Sequence, residues 1–277
     1  MVCKTLCFAL AALCAASAAP EGRITGGADV DITEAPYMVS LVYHYPRPNI
    51  YIQRCVGSLI SSWHILTVAY CFTGAIQDNF TLRAGSSNSL SGGVTSTIQQ
   101  VIQHPDYVAT PRQNDIAIVF AKEPFRITNV VNSLRLPPPT FTLTDGAIGV
   151  VTGWGFDKEQ ADGGTQHESL RKIELRKVPA STCTTAFSDV VDVSITDTVF
   201  CATETDKGIC FGDAGAPFVS TVYNSQALVG VSSYYQDCGS TYPDIFVRVE
   251  KYSNWILEVA VAPSGRRAVE GDTPAIA

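Results

Sequence analysis

From residue 37 onward the apolar positions come in short runs rather than long stripes. The segments YMVSLVYH (37–44), FTLRAG (80–85), DIAIVF (115–120), AIGVVTGWG (147–155), TVFCAT (198–203), APFVST (216–221), ALVGVSSYY (227–235) and DIFVRV (244–249) are rich in Val, Ile, Thr and aromatic residues. Gly, Pro, Asn and Asp separate them. Strands at this spacing predict an all-β chain closed into barrels or stacked as a sandwich. One segment breaks the pattern. In EKYSNWILEVA (250–260), Tyr252, Trp255, Ile256 and Val259 fall at helical spacing on one face, which predicts a helix packed by that stripe. Beyond Pro263 large apolar residues almost vanish, so 263–277 is expected to be a flexible tail carrying the Arg266-Arg267 pair.

At the other end, MVCKTLCFALAALCAASAAP joins Lys4 to an apolar run and to small residues at Ala16, Ser17 and Ala18, the pattern of a signal peptide over 1–18. The run is shorter than the roughly 20 residues a spanning helix needs. A secreted, extracellular chain with a short propeptide, 19–23, is therefore expected, and no membrane partner. The net charge of −7 and a pI near 5.1, without a Lys/Arg cluster, also argue against nucleic acid. Three of the nine cysteines fall in the signal segment. The six that remain, Cys55, Cys71, Cys183, Cys201, Cys210 and Cys238, are an even set in an oxidising compartment, so disulfides are expected. CxxC and HxxxH spacings are absent and there are four histidines, so no metal or other cofactor is expected. Asn79-Phe80-Thr81 is a usable N-glycosylation sequon.

Six stretches carry the chemistry: ITGG after Arg23, LTVAYC ending at Cys71, NDIAI holding Asp115, VTGWG at 151–155, GDAGAP (212–217) after Cys210, and CGSTYPDIFVRV (238–249). In that order they resemble the trypsin and chymotrypsin family of serine proteases, from Ile24 to about Val261. The resemblance implies two packed six-stranded antiparallel β-barrels (chymotrypsin-like) over 24–262, with a cleft between them and a C-terminal helix. It also implies the pairings Cys55–Cys71, Cys183–Cys201 and Cys210–Cys238.

In the family a histidine just before the second-motif cysteine is general base toward the serine of GDSGGP. An aspartate in the third motif orients it. The corresponding positions here are Tyr70, Ala214 and Asp115. Nucleophilic catalysis needs an oxygen activated by a nearby base and a third group to hold that base. Ala214 has no oxygen, and a phenol does not imitate imidazole. In a related triad system, loss of the Ser or the His costs on the order of 10⁶ in turnover, or roughly 8 kcal/mol of barrier. The chain is therefore expected to be a non-catalytic homologue, a secreted binding or regulatory protein whose partner is a protease or a protease inhibitor, as cofactor or decoy. Weak or relocated endopeptidase activity is one alternative, and a structural or venom-like component of a secretion is another. His44, His64, His104 and His167 lie outside the motif and are expected on the surface or in loops.

The resemblance assigns further positions. The N–H groups of Gly212 and Ala214 would form the oxyanion hole. Asp213 would receive the amine of Ile24 if the chain is cut after Arg23, a zymogen-like device. Gly208 stands at the pocket base where trypsins carry an aspartate, and Asp244 falls on the pocket wall. Ser233-Tyr234-Tyr235 replaces the Ser-Trp-Gly strand, so Tyr235 should lean into the pocket mouth. The ring of Tyr70 is expected to fill the place of the lost imidazole, its hydroxyl donating to Asp115 together with Ser233.

Overall fold

The computed structural model describes residues 25–159, 162–166, 168–239, 242–261 and 271–277. The expected signal peptide, Arg23, Ile24 and His167 lie outside the described residues. The strands in chain order are β1 (Ala28–Asp29), β2 (Met38–Tyr45), β3 (Ile50–Leu59), β4 (His64–Thr67), β5 (Phe80–Ala84), β6 (Val94–Gln103), β7 (Val108–Ala109), β8 (Arg112–Gln113), β9 (Ala117–Ala121), β10 (Ile148–Gly153) and β11 (Arg171–Lys177). A short helix α1 (Ala180–Ala186) follows, then β12 (Val199–Thr203), β13 (Pro217–Val222), β14 (Ser225–Tyr234), β15 (Asp244–Arg248) and helix α2 (Val249–Val259).

Two closed antiparallel barrels result. The first runs β2-β3-β4-β9-β6-β5. The second runs β11-β10-β13-β14-β15-β12 and closes through the β11–β12 pairing, with β1 laid along β11. All eight segments predicted as strands carry one, and α2 sits where the helical stripe placed it. Tyr252 and Ile256 are buried there, and Trp255 and Val259 are partly buried against the core. Strands β3, β4, β6 and β11 were not among the predicted runs. In β6 only Ser96 and Ile98 are buried, with Val101 partly buried against the core, and in β11 Ile173 and Leu175 alternate with charged neighbours. A strand with so few apolar residues borrows its order from its neighbours' hydrogen bonds.

The three disulfides join Cys55–Cys71, Cys183–Cys201 and Cys210–Cys238, and they fit an extracellular protein. Two expectations are corrected. His64 is fully buried in β4, its ring bonded to Ser61 Oγ at 2.6 Å and the Val261 carbonyl at 3.2 Å. Burial pushes its pKa down to about 4. The end of the expected flexible tail is also seated. Ala275 and Ala277 exchange backbone bonds with Leu136, both at 2.8 Å, and Gly271 accepts from the Ser62 N–H at 2.7 Å. Asp272 accepts from Ser62 Oγ and Trp63 Nε1, and Ile276 packs on the core. Main-chain pairing supplies here what a small, polar sequence cannot advertise through hydrophobic side chains.

Candidate functional site

The loop 210–216 is held in shape by its carbonyls. The Phe211 carbonyl accepts from the Phe156 N–H at 2.9 Å, and that of Asp213 accepts from the Ala216 N–H at 2.8 Å and from Ser232 Oγ. A trans peptide points its N–H opposite its C=O. The next N–H groups, those of Gly212 and Ala214, are therefore turned away from the barrel toward the cleft. Among the described residues neither donates to a protein acceptor. The turn needs glycine twice. Gly212 has φ +96°, and Gly215 has φ +89° with no room for a Cβ, which would lie 2.0 Å from the Val56 carbonyl oxygen.

Gln53, fully buried on β3, secures the same loop, and nothing in the sequence reading singled it out. Its Nε2 donates to the carbonyls of Cys55 at 2.8 Å and Gly212 at 2.7 Å, and Gln166 Nε2 in turn reaches Gln53. The available signal was a polar residue inside an otherwise inward-facing strand, two positions before a disulfide cysteine. Asp213 lies beneath the loop with 0% exposure. It accepts from the N–H of Gly155 at 2.8 Å and of Cys210 at 3.2 Å. Burial pushes its carboxyl up to about 7 against these two bonds. Thr25 forms a bridge with Gly208 and donates to the Asp157 carbonyl at 2.9 Å, so the chain just after Ile24 runs along the back of this loop.

Asp115, 2% exposed, accepts from Ser233 Oγ at 2.6 Å and from the backbone N–H of Tyr70 at 2.8 Å. Burial raises its carboxyl above the usual range, while the charge of Arg112, the Ser233 hydroxyl and the Tyr70 N–H pull it down. The Ser233 bond is as expected, but the role given to the Tyr70 side chain is not. The phenol makes no hydrogen bond to Asp115, and the residue stands 41% exposed. Its ring is engaged instead by Arg112, whose guanidinium carbon lies 4.0 Å from the Tyr70 centroid and 5.5 Å from that of Tyr234. The same guanidinium donates to the Ser233 carbonyl, and its Nε stands 4.0 Å from Asp115 Oδ2. Arg112 thus sets a positive charge beside the buried carboxylate and lowers its pKa without hydrogen-bonding to it. Arg112 lies three residues before Asp115, a spacing that could have drawn attention to it.

The cleft is a cavity of about 350 Å³. Tyr70, Arg112, Gly212, Ala214, Ser233, Tyr234 and Tyr235 line it, as do Tyr45, Arg54 and Phe211, which the sequence reading missed. Tyr235 is among the residues that line it. Burial and the charges of Glu159, Asp213 and Asp244 push its phenol upward. Neither Gly208 nor Asp244 lines the cavity. A Cβ on Gly208 would meet Asp244 Oδ2 at 3.1 Å, so the Asp244 carboxyl packs against Gly208 outside the cavity lining. Asp244 accepts from the Ile209 N–H at 2.9 Å and, being buried, is held well above the ordinary carboxylate range. No histidine lines the cleft among the described residues: His44 stacks on Tyr51, and His104 contacts Tyr252 and Trp255. Asn79 is partly buried and its side-chain nitrogen donates to the Tyr43 hydroxyl at 3.3 Å.

The chain is similar to several insect proteases. It is 30% identical over 255 residues to "Trypsin, alkaline B" of Manduca sexta, covering 91% of this chain and 96% of that protein. It is 30% identical over 259 residues to "Vitellin-degrading protease" of Bombyx mori, covering 91% and 92%. With "Trypsin CFT-1" of Choristoneura fumiferana the identity is 32% over 257 residues, covering 90% and 97%. The sequence profile of the trypsin family matches residues 24–256. Together with the two barrels, the three disulfides and the loop that presents Gly212 and Ala214, this makes the chain a member of the trypsin family.

Proposed function

We propose that this family member is secreted and non-catalytic, and that its protease scaffold acts as a binding or regulatory module toward a protease or a protease inhibitor. One observation carries the reading: the loop still presents the N–H groups of Gly212 and Ala214 to the cleft, but the side chain beside them is a methyl group. Hydrolysis through an acyl intermediate needs an oxygen at that place, and a base to take its proton. Tyr70 turns its ring outward onto Arg112, and no described imidazole reaches the cleft. The relatives named for proteolysis supply the scaffold, while residues 70 and 214 carry the departure from it.

The cleft remains built for recognition. Tyr70 and Phe211 expose 41% and 49% of their surfaces at its rim, and aromatic residues of this kind anchor protein interfaces. The test is capture. The protein cut after Arg23 is immobilised, its native secretion is passed over it, and saturably bound proteins are identified. Recovery of a protease or a protease inhibitor, displaced by excess free protein and lost on Phe211→Ala, supports the proposal. Absence of any saturable protein partner overturns it in favour of a bulk component of the secretion.

A further inference from the structure

The chain carries a net charge of −7, yet its cleft is lined by two guanidinium groups and by no carboxylate side chain. Arg112 is committed in part to Asp115 and to the Ser233 carbonyl. Arg54 is not. It donates to the Thr73 carbonyl at 2.9 Å and weakly to the Tyr45 hydroxyl at 3.5 Å, and no described acid pairs with it. The same cavity holds the two N–H groups of Gly212 and Ala214, which have no acceptor among the described residues, and the small side chain of Ala214 leaves the space in front of them open.

Successive N–H groups in a tight turn form a concavity that suits an anion, and guanidinium groups strengthen its field where water is scarce. A peptide carbonyl in mid-chain would make little use of the Arg54 charge, which no described acid balances. It would also find the main-chain acceptor at Ser233 already taken by Arg112. We propose that the cleft is a receptor for a carboxylate, held by the N–H groups of Gly212 and Ala214 and balanced by Arg54 and Arg112. The rings of Tyr70 and Tyr235 accept the apolar or aromatic body attached to it. This deepens the non-catalytic reading and rests on it, since the ligand is retained and not turned over.

The probes are acetyl-Ala-Ala-Phe with a free C-terminus, the same peptide amidated, and 3-phenylpropanoate. Binding is followed by calorimetry and by the ¹H–¹⁵N resonances of protein labelled at Gly and Ala. The expected result is that a carboxylate probe binds at least about tenfold more tightly than the amide, shifts the amides of Gly212 and Ala214, and weakens as salt rises. Arg54→Gln, a change on a partly exposed side chain, lowers that affinity several-fold. Arg112→Gln lowers it further, with its fold checked by circular dichroism. If the free peptide binds and phenylpropanoate does not, the source is a peptide C-terminus; equal binding of the two identifies a small organic acid. Equal affinity for acid and amide, unmoved Gly212 and Ala214 resonances at saturation, or no binding of either acid at about 10 mM overturns the proposal. Chromatography of the same mixtures reports any consumption of the amide peptide. Consumption would refute the non-catalytic reading whether or not the acids bind.

Discussion

Removal of Arg112 tests whether it substitutes electrically for the missing imidazole. In Arg112→Ala, the guanidinium is lost from 4.0 Å above the Tyr70 ring, from the Ser233 carbonyl and from 4.0 Å beside Asp115 Oδ2. A cation–π contact on a ring this exposed is worth about 0.5 kcal/mol, and a charged hydrogen bond to a carbonyl about 1.5–3 kcal/mol. Opposite charges at that separation attract by roughly 4 kcal/mol at an effective dielectric of 20. Recovered hydration of an arginine side chain that is only 14% exposed offsets much of this sum. The net expected loss of stability is about 3 kcal/mol, measured by urea unfolding at pH 7. Arg112→Lys, which keeps the charge but not the planar stack, should lose less. Because Arg112 lowers the Asp115 pKa against burial, its removal must raise it, which carboxyl ¹³C shifts would follow. A loss under about 0.5 kcal/mol, within the range of an ordinary surface change, together with an unmoved Asp115 titration, would refute this account of the site.

Three further outcomes follow from the geometry. The double reversion Tyr70→His with Ala214→Ser should give no hydrolysis of peptide substrates until Tyr235→Gly is added to clear the mouth; turnover by the double variant alone would show that Tyr235 is not a block. Asp213 has a folded pKa near 7 against an ordinary 3.8, so in uncut protein the fold binds the extra proton, and its stability falls as pH rises from about 4 to 7. Asp213→Asn should remove that fall and gain up to about 4 kcal/mol on the wild type by pH 7.5, whereas parallel pH profiles of the two proteins would contradict the linkage. His64, held neutral by burial, works in the opposite direction between about 4 and 6.5, and it cancels in this comparison. Truncation after Glu270 deletes three backbone hydrogen bonds and the packing of Ile276. It should cost about 3 kcal/mol, and an unchanged urea midpoint would show the seated tail to be ornamental.

Much of the fold was legible because its evidence is local. Val- and Ile-rich runs bounded by Gly and Pro mark strands, Tyr252 and Ile256 share a helix face, and the order of six motifs carries the barrels and the disulfide pairing. Strands β6 and β11 were not legible, since their order comes from cross-strand bonds and not from their own side chains. His64 shows the same limit from the other side. Its burial depends on Val261 arriving from a distant point of the chain to meet the ring, which no local pattern records. At the site, Asp115, Ser233, Gly212 and Tyr235 could be placed by position within a motif. Arg54 could not, because its role arises from three-dimensional proximity, and Gln53 and Arg112 offered only the faint signal of their spacing to Cys55 and Asp115. The Tyr70 hydroxyl was misassigned for a related reason: the charge beside Asp115 is a cation whose presence there depends on the path of β8.

Absence of peptidase activity is tested first by turnover. Purified protein cut after Arg23 is incubated with a broad peptide library, and cleavage is followed by mass spectrometry beside an active trypsin and a variant carrying Asp115→Asn. No cleavage above the variant's background is expected at any site. Saturable cleavage that co-purifies with the protein and is lost in Asp115→Asn would contradict the non-catalytic reading, and would show that the cleft performs hydrolysis without an oxygen at residue 214.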